Sequence, residues 1–335
     1  MGFVISCKDD KPEKMIMRQR QDISFQATGL MTLICLTWAL GQVILKYTAA
    51  DMAPTLQIAI RSAGAAVLTW VFVYWRGRQL FTLAGAWRPG LLVGALFAGE
   101  FFFVGEALRY TTASHVSIFL DTAPIFAALG LHVFLPEERL RPVQWAGVLL
   151  AFLGVAVSFL ARDHGINTDT SPNMLWGDTL AVVAGILWGA TTVVVRGSCL
   201  KNAPATETLF YQLVGAFVLL FLGAGMTNQL SVQWTTALVI GLIFQIFILS
   251  FVSLLIWFWL LRRFLASRLG VLSFMTPLFG VLLGVFILNE PLESSFVLGA
   301  ICVVMGLVLV GGYDWLFRSK QASPTSTAAS RSQDS

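Results

Sequence analysis

Charge is what this sequence is short of. Only 12% of its residues are Asp, Glu, Lys or Arg, against 57% hydrophobic, where a soluble domain carries about 25% charged residues. That deficit excludes an ordinary soluble domain. Cysteine is also scarce: Cys7, Cys35, Cys199 and Cys302 are scattered, with no CxxC and no His/Cys cluster. This pattern points away from a disulfide framework or a zinc site. Nor is there an HExxH, GxSxG or P-loop pattern, and each of those marks a known catalytic apparatus. The expectation is a non-enzyme with no cofactor and no metal.

What is present is hydrophobic length. Ten apolar runs of about 20 residues stand out, at Phe25–Lys46, Thr55–Trp75, Gly90–Leu108, Thr112–Leu135, Val143–Ala161, Leu175–Val195, Thr206–Ala224, Thr235–Leu261, Ser267–Leu288 and Ser294–Tyr313. As helices, runs of this length cross a hydrocarbon core of about 30 Å. Backbone amides in lipid must find partners within their own segment, so the fold class expected is an all-α integral membrane protein of ten transmembrane helices.

The chain also repeats itself. Leu108–Leu140 and Leu261–Leu292 align at an offset of 153, matching Ala113-Ser114 with Ala266-Ser267, Pro124 with Pro277 and Glu137 with Glu290. At an offset of 150, Trp38 matches Trp188, Lys46 matches Arg196 and Ala53-Pro54 matches Ala203-Pro204. Farther on, Gly147 and Gly154 fall on Gly299 and Gly306. So long a period is a duplicated half rather than a solenoid unit. Each half holds five spans, an odd number, so the second half is inverted relative to the first. Inverted repeats are the architecture of alternating-access carriers. The divisions expected are an N-terminal segment 1–24, a first repeat 25–162, a linker 163–174, a second repeat 175–314 and a disordered tail 315–335.

Basic residues orient the chain. Of its 22 Lys and Arg, 18 fall on the side of the N-terminus, 3 on the other, and Arg61 lies inside a span. The positive-inside rule then places both termini in the cytoplasm and the linker outside. The net charge of +4 is membrane topology and not a nucleic-acid footprint. Residues 1–24 lack the apolar core of a cleavable signal. Met1-Gly2 with Ser6 and Cys7 formally match an acylation pattern, which a ten-span protein does not need.

Taken together, the doubled features resemble the EamA-type branch of the drug/metabolite transporter superfamily. They comprise a Trp in the first span of each half, prolines in the fourth and ninth spans, and the turns Pro136-Glu137-Glu138-Arg139-Leu140 and Asn289-Glu290-Pro291-Leu292 before the Gly147/Gly154 and Gly299/Gly306 helices. The likeness covers roughly residues 28–313. It implies a multi-pass carrier of the bacterial inner membrane exporting amino acids or other small metabolites, with the third, fourth, eighth and ninth spans lining a cavity and the fifth and tenth peripheral.

Candidate site residues emerge by subtracting one half from the other. Glu100 matches Ser253, Asp121 matches Phe274, Glu106 matches Trp259 and Arg61 matches Tyr211. Scaffold positions repeat, whereas ligand chemistry need not. An ionised carboxylate at the bilayer centre costs about 2.5–3.5 kcal/mol on insertion scales, so Glu100 and Asp121 should face a wet cavity or a partner. Both lie about ten residues from the turn between the third and fourth spans, hence at one depth, where they could share a proton. The alternative is that one is neutral and bonded to a hydroxyl or amide. Arg61 could neutralise Glu100, bind a substrate carboxylate, or simply pack. With a carboxylate it suits a zwitterion, whereas one arginine is thin provision for a phosphorylated cargo.

The remaining candidates each carry two readings. His115 joins a proton path or is an interfacial histidine with an ordinary hydrogen bond, and the latter is favoured for His132. Trp38 and Trp188 pack, or wall the cavity. Pro124 and Pro277 are hinge points. Glu106 pairs locally with Arg109, Glu137 and Glu290 cap helices, and Gly90/Gly94, Gly185/Gly189 and Gly280/Gly284 allow close helix contact. The function expected is alternating-access export of amine-bearing metabolites, with protons as the coupling ion to test. The partners are a small-molecule substrate, the lipid bilayer and, as an oligomeric state to consider, a second copy in a homodimer. Hydrophobic cations, nucleotide sugars and organic phosphates are rival cargoes, and a membrane receptor or intramembrane enzyme is the rival class.

Overall fold

In the computed structural model the described residues are 25–83, 85–134, 140–160, 173–263, 272–273, 275–292 and 294–318. Residues 1–24, most of the linker, Glu137, Ala266-Ser267, Phe274 and the tail beyond 318 lie outside them. The described chain is helical, with one isolated bridge between Met52 and Val232. Its helices are α1 (Phe25–Tyr47), α2 (Pro54–Trp75), α3 (Trp87–Tyr110), α4 (Ala113–Leu120), α5 (Ala123–Phe134), α6 (Pro142–Leu160), α7 (Met174–Gly197), α8 (Ala205–Met226), α9 (Thr236–Ile243), α10 (Ser253–Arg263), α11 (Met275–Leu288) and α12 (Ser294–Arg318). Pro54 and Pro142 open their helices, where a missing N–H costs nothing. Thr112 and Thr235 cap α4 and α9, each accepting the N–H three residues on at 3.2 Å.

Seven helical stretches among the described residues are long and apolar enough to cross a membrane, and three shorter apolar helices lie at Pro142–Ser158, Met275–Leu288 and Ser294–Val310. The outward surface is apolar too: Trp75 is 89% exposed, Met226 86% and Phe286 78%. Exposed apolar bulk on this scale suits lipid rather than water.

Two expected spans are not uniform helices. The fourth is broken into α4 and α5 at Asp121-Thr122. Pro124 is the cause, because it offers no N–H to the Leu120 carbonyl four residues back. The chain turns instead, with Thr122 donating its hydroxyl to the Phe119 carbonyl at 2.5 Å. The eighth span changes winding: Phe244–Val252, between α9 and α10, is a π-helix, a form that collects at functional sites.

Small residues set the packing. Gly94 of α3 and Gly215 of α8 meet so closely that a Cβ on Gly215 would lie 2.6 Å from the Gly94 Cα. On α6 and α12, Gly147 faces the Gly306 carbonyl and Gly154 the Gly299 carbonyl, and each relation is returned. Gly189 of α7 lies against Phe126 and Ala127 of α5, and Gly280 and Gly284 of α11 against Ser117 and Ser114 of α4. The glycine spacings thus serve as the close contacts expected of them. The helix pairs have a matching form in the two halves: α3 packs on α7 as α10 packs on α1, and α5 on α7 as α11 on α1.

Candidate functional site

Three of the expected residues come together in the bundle interior. Arg61 on α2 is 6% exposed and Glu100 on α3 is 3% exposed. Asp121, at the break between α4 and α5, is partly exposed. The charges of Arg61 and Asp121 both act on Glu100, although no contact of 4.0 Å or less joins Arg61 to either carboxylate among the described residues. Arg61 lies over the Phe101 ring, 4.8 Å from its centroid, and donates Nη1 to Gln245 Oε1 at 3.3 Å. Gln245 stands in the π-helix and is wholly buried. Its Nε2 donates to Gln57 Oε1 at 3.2 Å, and Gln57 in turn donates to the Met52 carbonyl at 2.8 Å. Arg61 is thus fixed from behind by an amide chain, and Glu100 Oε2 is buried with no hydrogen-bond partner among the described residues. A carboxylate oxygen left unbonded in a dry interior is costly, and an incoming ammonium or hydroxyl would satisfy it.

Beside the break, the backbone of α4 packs against α7. A Cβ on Gly185 of α7 would lie 3.1 Å from both the Phe119 and Leu120 carbonyls and 3.0 Å from Thr122 Oγ1. Non-helical backbone at membrane depth is tolerated where protein buries it or where it lines a cavity. Pro124 therefore marks a break rather than the kink expected of a continuous helix. Pro277 is the third described residue of α11, and Phe274, the counterpart of Asp121, lies outside the described residues.

The two tryptophans differ. Trp38 donates Nε1 to Ser253 Oγ at 3.0 Å and meets Trp257 edge-on at 5.6 Å. Trp188 lies against the main core, and its indole N–H reaches no acceptor among the described residues.

His115 is enclosed by protein. It is 1% exposed, its Nδ1 is 3.0 Å and 3.1 Å from the two carboxylate oxygens of Asp178, and its ring stacks on Phe296 at 3.9 Å. Asp178, in the second turn of α7, also accepts the Thr111 hydroxyl at 2.5 Å. Glu290 caps as expected, and the helix it caps is α4: it accepts Ala113 N at 2.7 Å, Ser114 N at 3.0 Å and Ser114 Oγ at 2.6 Å. Glu106 pairs with Arg109 at 2.8 Å, and His132 Nδ1 accepts Leu140 N at 2.8 Å. The sequence reading missed Asp178, Gln245, Gln57 and Glu207, a buried carboxylate that accepts both N and Oγ1 of Thr82. Half-against-half subtraction flags all four, since Asp178 matches Thr28, Gln57 matches Glu207 and Gln245 matches Leu92.

The EamA-like transporter family profile matches the chain twice, over residues 27–160 and 175–312. An uncharacterized transporter of Archaeoglobus fulgidus is 28% identical over 84% of this chain and 95% of its own. A probable amino-acid metabolite efflux pump of Salmonella typhimurium is 24% identical over 84% and 93%, and one of Escherichia coli 25% identical over 85% and 95%. A protein of known crystal structure shares the fold, with a TM-score of 0.63 at 21% identity, covering 89% of this chain and 99% of that one.

Proposed function

As a member of the EamA-like transporter family this chain is a membrane transporter, and we propose that it exports small amine-bearing metabolites, amino acids foremost, by alternating access. The observation that carries the reading is the buried Glu100 carboxylate with its unbonded oxygen, in the same interior as a guanidinium held by Gln245. Ammonium on Glu100 or Asp121 and carboxylate toward Arg61 would complete both groups. The efflux-pump names of two relatives support this cargo class. A phosphorylated cargo is less well served, since two carboxylates and one arginine repel a doubly charged anion.

The architecture proposed is ten spans in two inverted halves. The sequence repeat, the twofold family match and the matching helix pairs of the two halves support it. Two halves of opposite orientation can exchange shapes, opening the central site to one side and then the other. The distribution of Lys and Arg supports a bacterial inner membrane topology with both termini cytoplasmic. That arrangement puts the turn between α3 and α4 at the outer face. Protons are the coupling ion proposed, because α3 and the break at the end of α4 each carry a carboxylate, Glu100 and Asp121, within packed helices.

The test is uptake of radiolabelled amino acids into proteoliposomes, with and without a pH gradient. Transport of at least one amino acid is expected, with Glu100→Gln and Asp121→Asn each lowering it more than tenfold. Unchanged transport and pH dependence in both variants would remove the site, and no transport across the panel would remove the cargo class.

A further inference from the structure

We propose that the cleft between the end of α2, the loop after it and the start of α8 binds one anionic phospholipid, with the lipid phosphate at Arg78 and the upper acyl segment along Trp70 and Tyr74. The loop is built so as to leave that space. Helix α2 ends at Trp75, and Gly77, at φ +61°, turns the chain back in a backbone region that glycine enters without steric cost. Glu207 of α8 draws the loop in, accepting Thr82 N at 3.1 Å and Thr82 Oγ1 at 2.9 Å. Phe81 seats on α8, edge-on to Phe210 at 5.9 Å and tilted on Tyr211 at 5.6 Å. A cleft of about 460 Å³ remains, with Trp70, Tyr74, Arg78, Phe81 and Phe210 in its walls. Small-molecule sites fall in the range of roughly 300–1,000 Å³.

Charge selects the sign of the ligand. Between Asp51 and Glu100 the chain has no acidic residue, and it carries Arg76, Arg78 and Arg88 in and beside the loop. All three arginines are exposed. Glu207, the acid that holds the loop, is wholly buried and bonded to Thr82. Arg76 lies over Phe72 and Arg88 over Trp87, each at 5.2 Å. Arg78 is the arginine in the cleft wall, and no ion pair joins it to an acid among the described residues. A guanidinium presents paired N–H donors that match the oxygens of a phosphate.

The apolar wall selects a lipid over a soluble anion. Trp70 is 52% exposed and Tyr74 73%, and their rings stack at 6.0 Å along one face of α2. Trp70 stands five positions before Trp75, the last residue of the helix, and so about 8 Å deeper along its axis. The cleft therefore joins the level of a headgroup to the level of the first acyl carbons. A free phosphate would leave that aromatic wall uncovered, whereas an acyl chain gains by burying it. Aromatic and basic residues gather at membrane interfaces in general, but a belt needs no concavity, and this loop is bent and latched into one. A lipid seated there touches α2 and α8 together, two helices that pack on each other from opposite halves of the chain.

Native mass spectrometry of the delipidated full chain in detergent tests this, with phosphatidylglycerol and phosphatidylcholine as the two probes. The anionic lipid is expected to bind first, as a single adduct and about fivefold more tightly, which is the selectivity that one arginine at a membrane surface supplies. Arg78→Gln is expected to erase that preference, and Trp70→Ala to weaken both lipids at least about threefold. Arg88→Gln, at the same end of the bundle and outside the cleft, should keep the preference within about twofold of the parent's. Equal binding of the two lipids by the parent overturns the proposal without requiring any variant to fold. Equal losses in Arg78→Gln and Arg88→Gln overturn it too, as diffuse attraction to basic residues. So do unchanged binding in Trp70→Ala and displacement of the lipid by millimolar inorganic phosphate, which marks an anion site with no place for a chain. No cargo is added, so failure here removes the lipid site and leaves the transport reading standing.

Discussion

Trp38 gives its indole N–H to Ser253 across 3.0 Å, and the positions matching these two in the other half are Trp188 and Glu100. The helices carrying the second pair also touch there, since a Cβ on Gly99 would lie 3.0 Å from Leu187 Cδ1. One half closes this junction with a neutral bond; the other presents a buried carboxylate with an unbonded oxygen. Glu100→Ser makes the halves alike. The variant is expected to fold, to unfold at a temperature equal to or above the parent's, and to lose transport more than tenfold. Thermal unfolding in detergent and proteoliposome uptake together check it.

Arg61 and Gln245 should be energetically coupled. Arg61→Met leaves Gln245 Oε1 without its 3.3 Å donor, and a buried acceptor left unsatisfied costs about 1–3 kcal/mol. In a double-mutant cycle with Gln245→Leu, a coupling of about 0.5–3 kcal/mol is expected. Denaturant or thermal unfolding measures it, and strict additivity would show that the bond contributes nothing.

Glycine contacts can be graded by what a methyl group would meet. Gly215→Ala drives a Cβ to within 2.7 Å of the Gly94 backbone, an overpacking that costs about 1–3 kcal/mol. Gly29→Ala in α1 meets nothing within 4 Å and gains helix propensity of about 1 kcal/mol. A lower Tm for the first variant and an unchanged or higher Tm for the second is the expected order.

Glu290 satisfies two backbone donors and one hydroxyl at the start of α4. Glu290→Ala is expected to cost about 1–3 kcal/mol, in the range of a lost cap plus unsatisfied donors. Glu290→Gln keeps one acceptor oxygen and should lie between. Thermal unfolding of the three proteins orders them.

Much of this was legible in the residues, and the exceptions have physical reasons. The spans, the glycine seams and the Glu106–Arg109 pair follow from hydrophobic length and helical spacing, which are local. The buried partnership of His115 with Asp178 joins residues 63 positions apart, and no pattern along the chain records a contact between the first and second halves. Asp178 lies near the end of its apolar run, in the second turn of α7, where sequence alone does not separate an acid at the membrane surface from a buried one. The break at Asp121 was half legible: Pro124 announced a disturbance, but whether a helix bends or stops depends on what receives the freed carbonyls. The π-winding around Gln245 left no mark in an apolar run.

The glycine at position 185 has a consequence for how α4 and α7 fit together. It stands against the Phe119 and Leu120 carbonyls and the Thr122 hydroxyl, all within 3.0–3.1 Å of where a Cβ would lie, so a methyl group there fits only if that backbone gives way. The main chain that leaves the helix before Pro124 is the surface on which α7 is seated, and the break and the helix contact depend on each other.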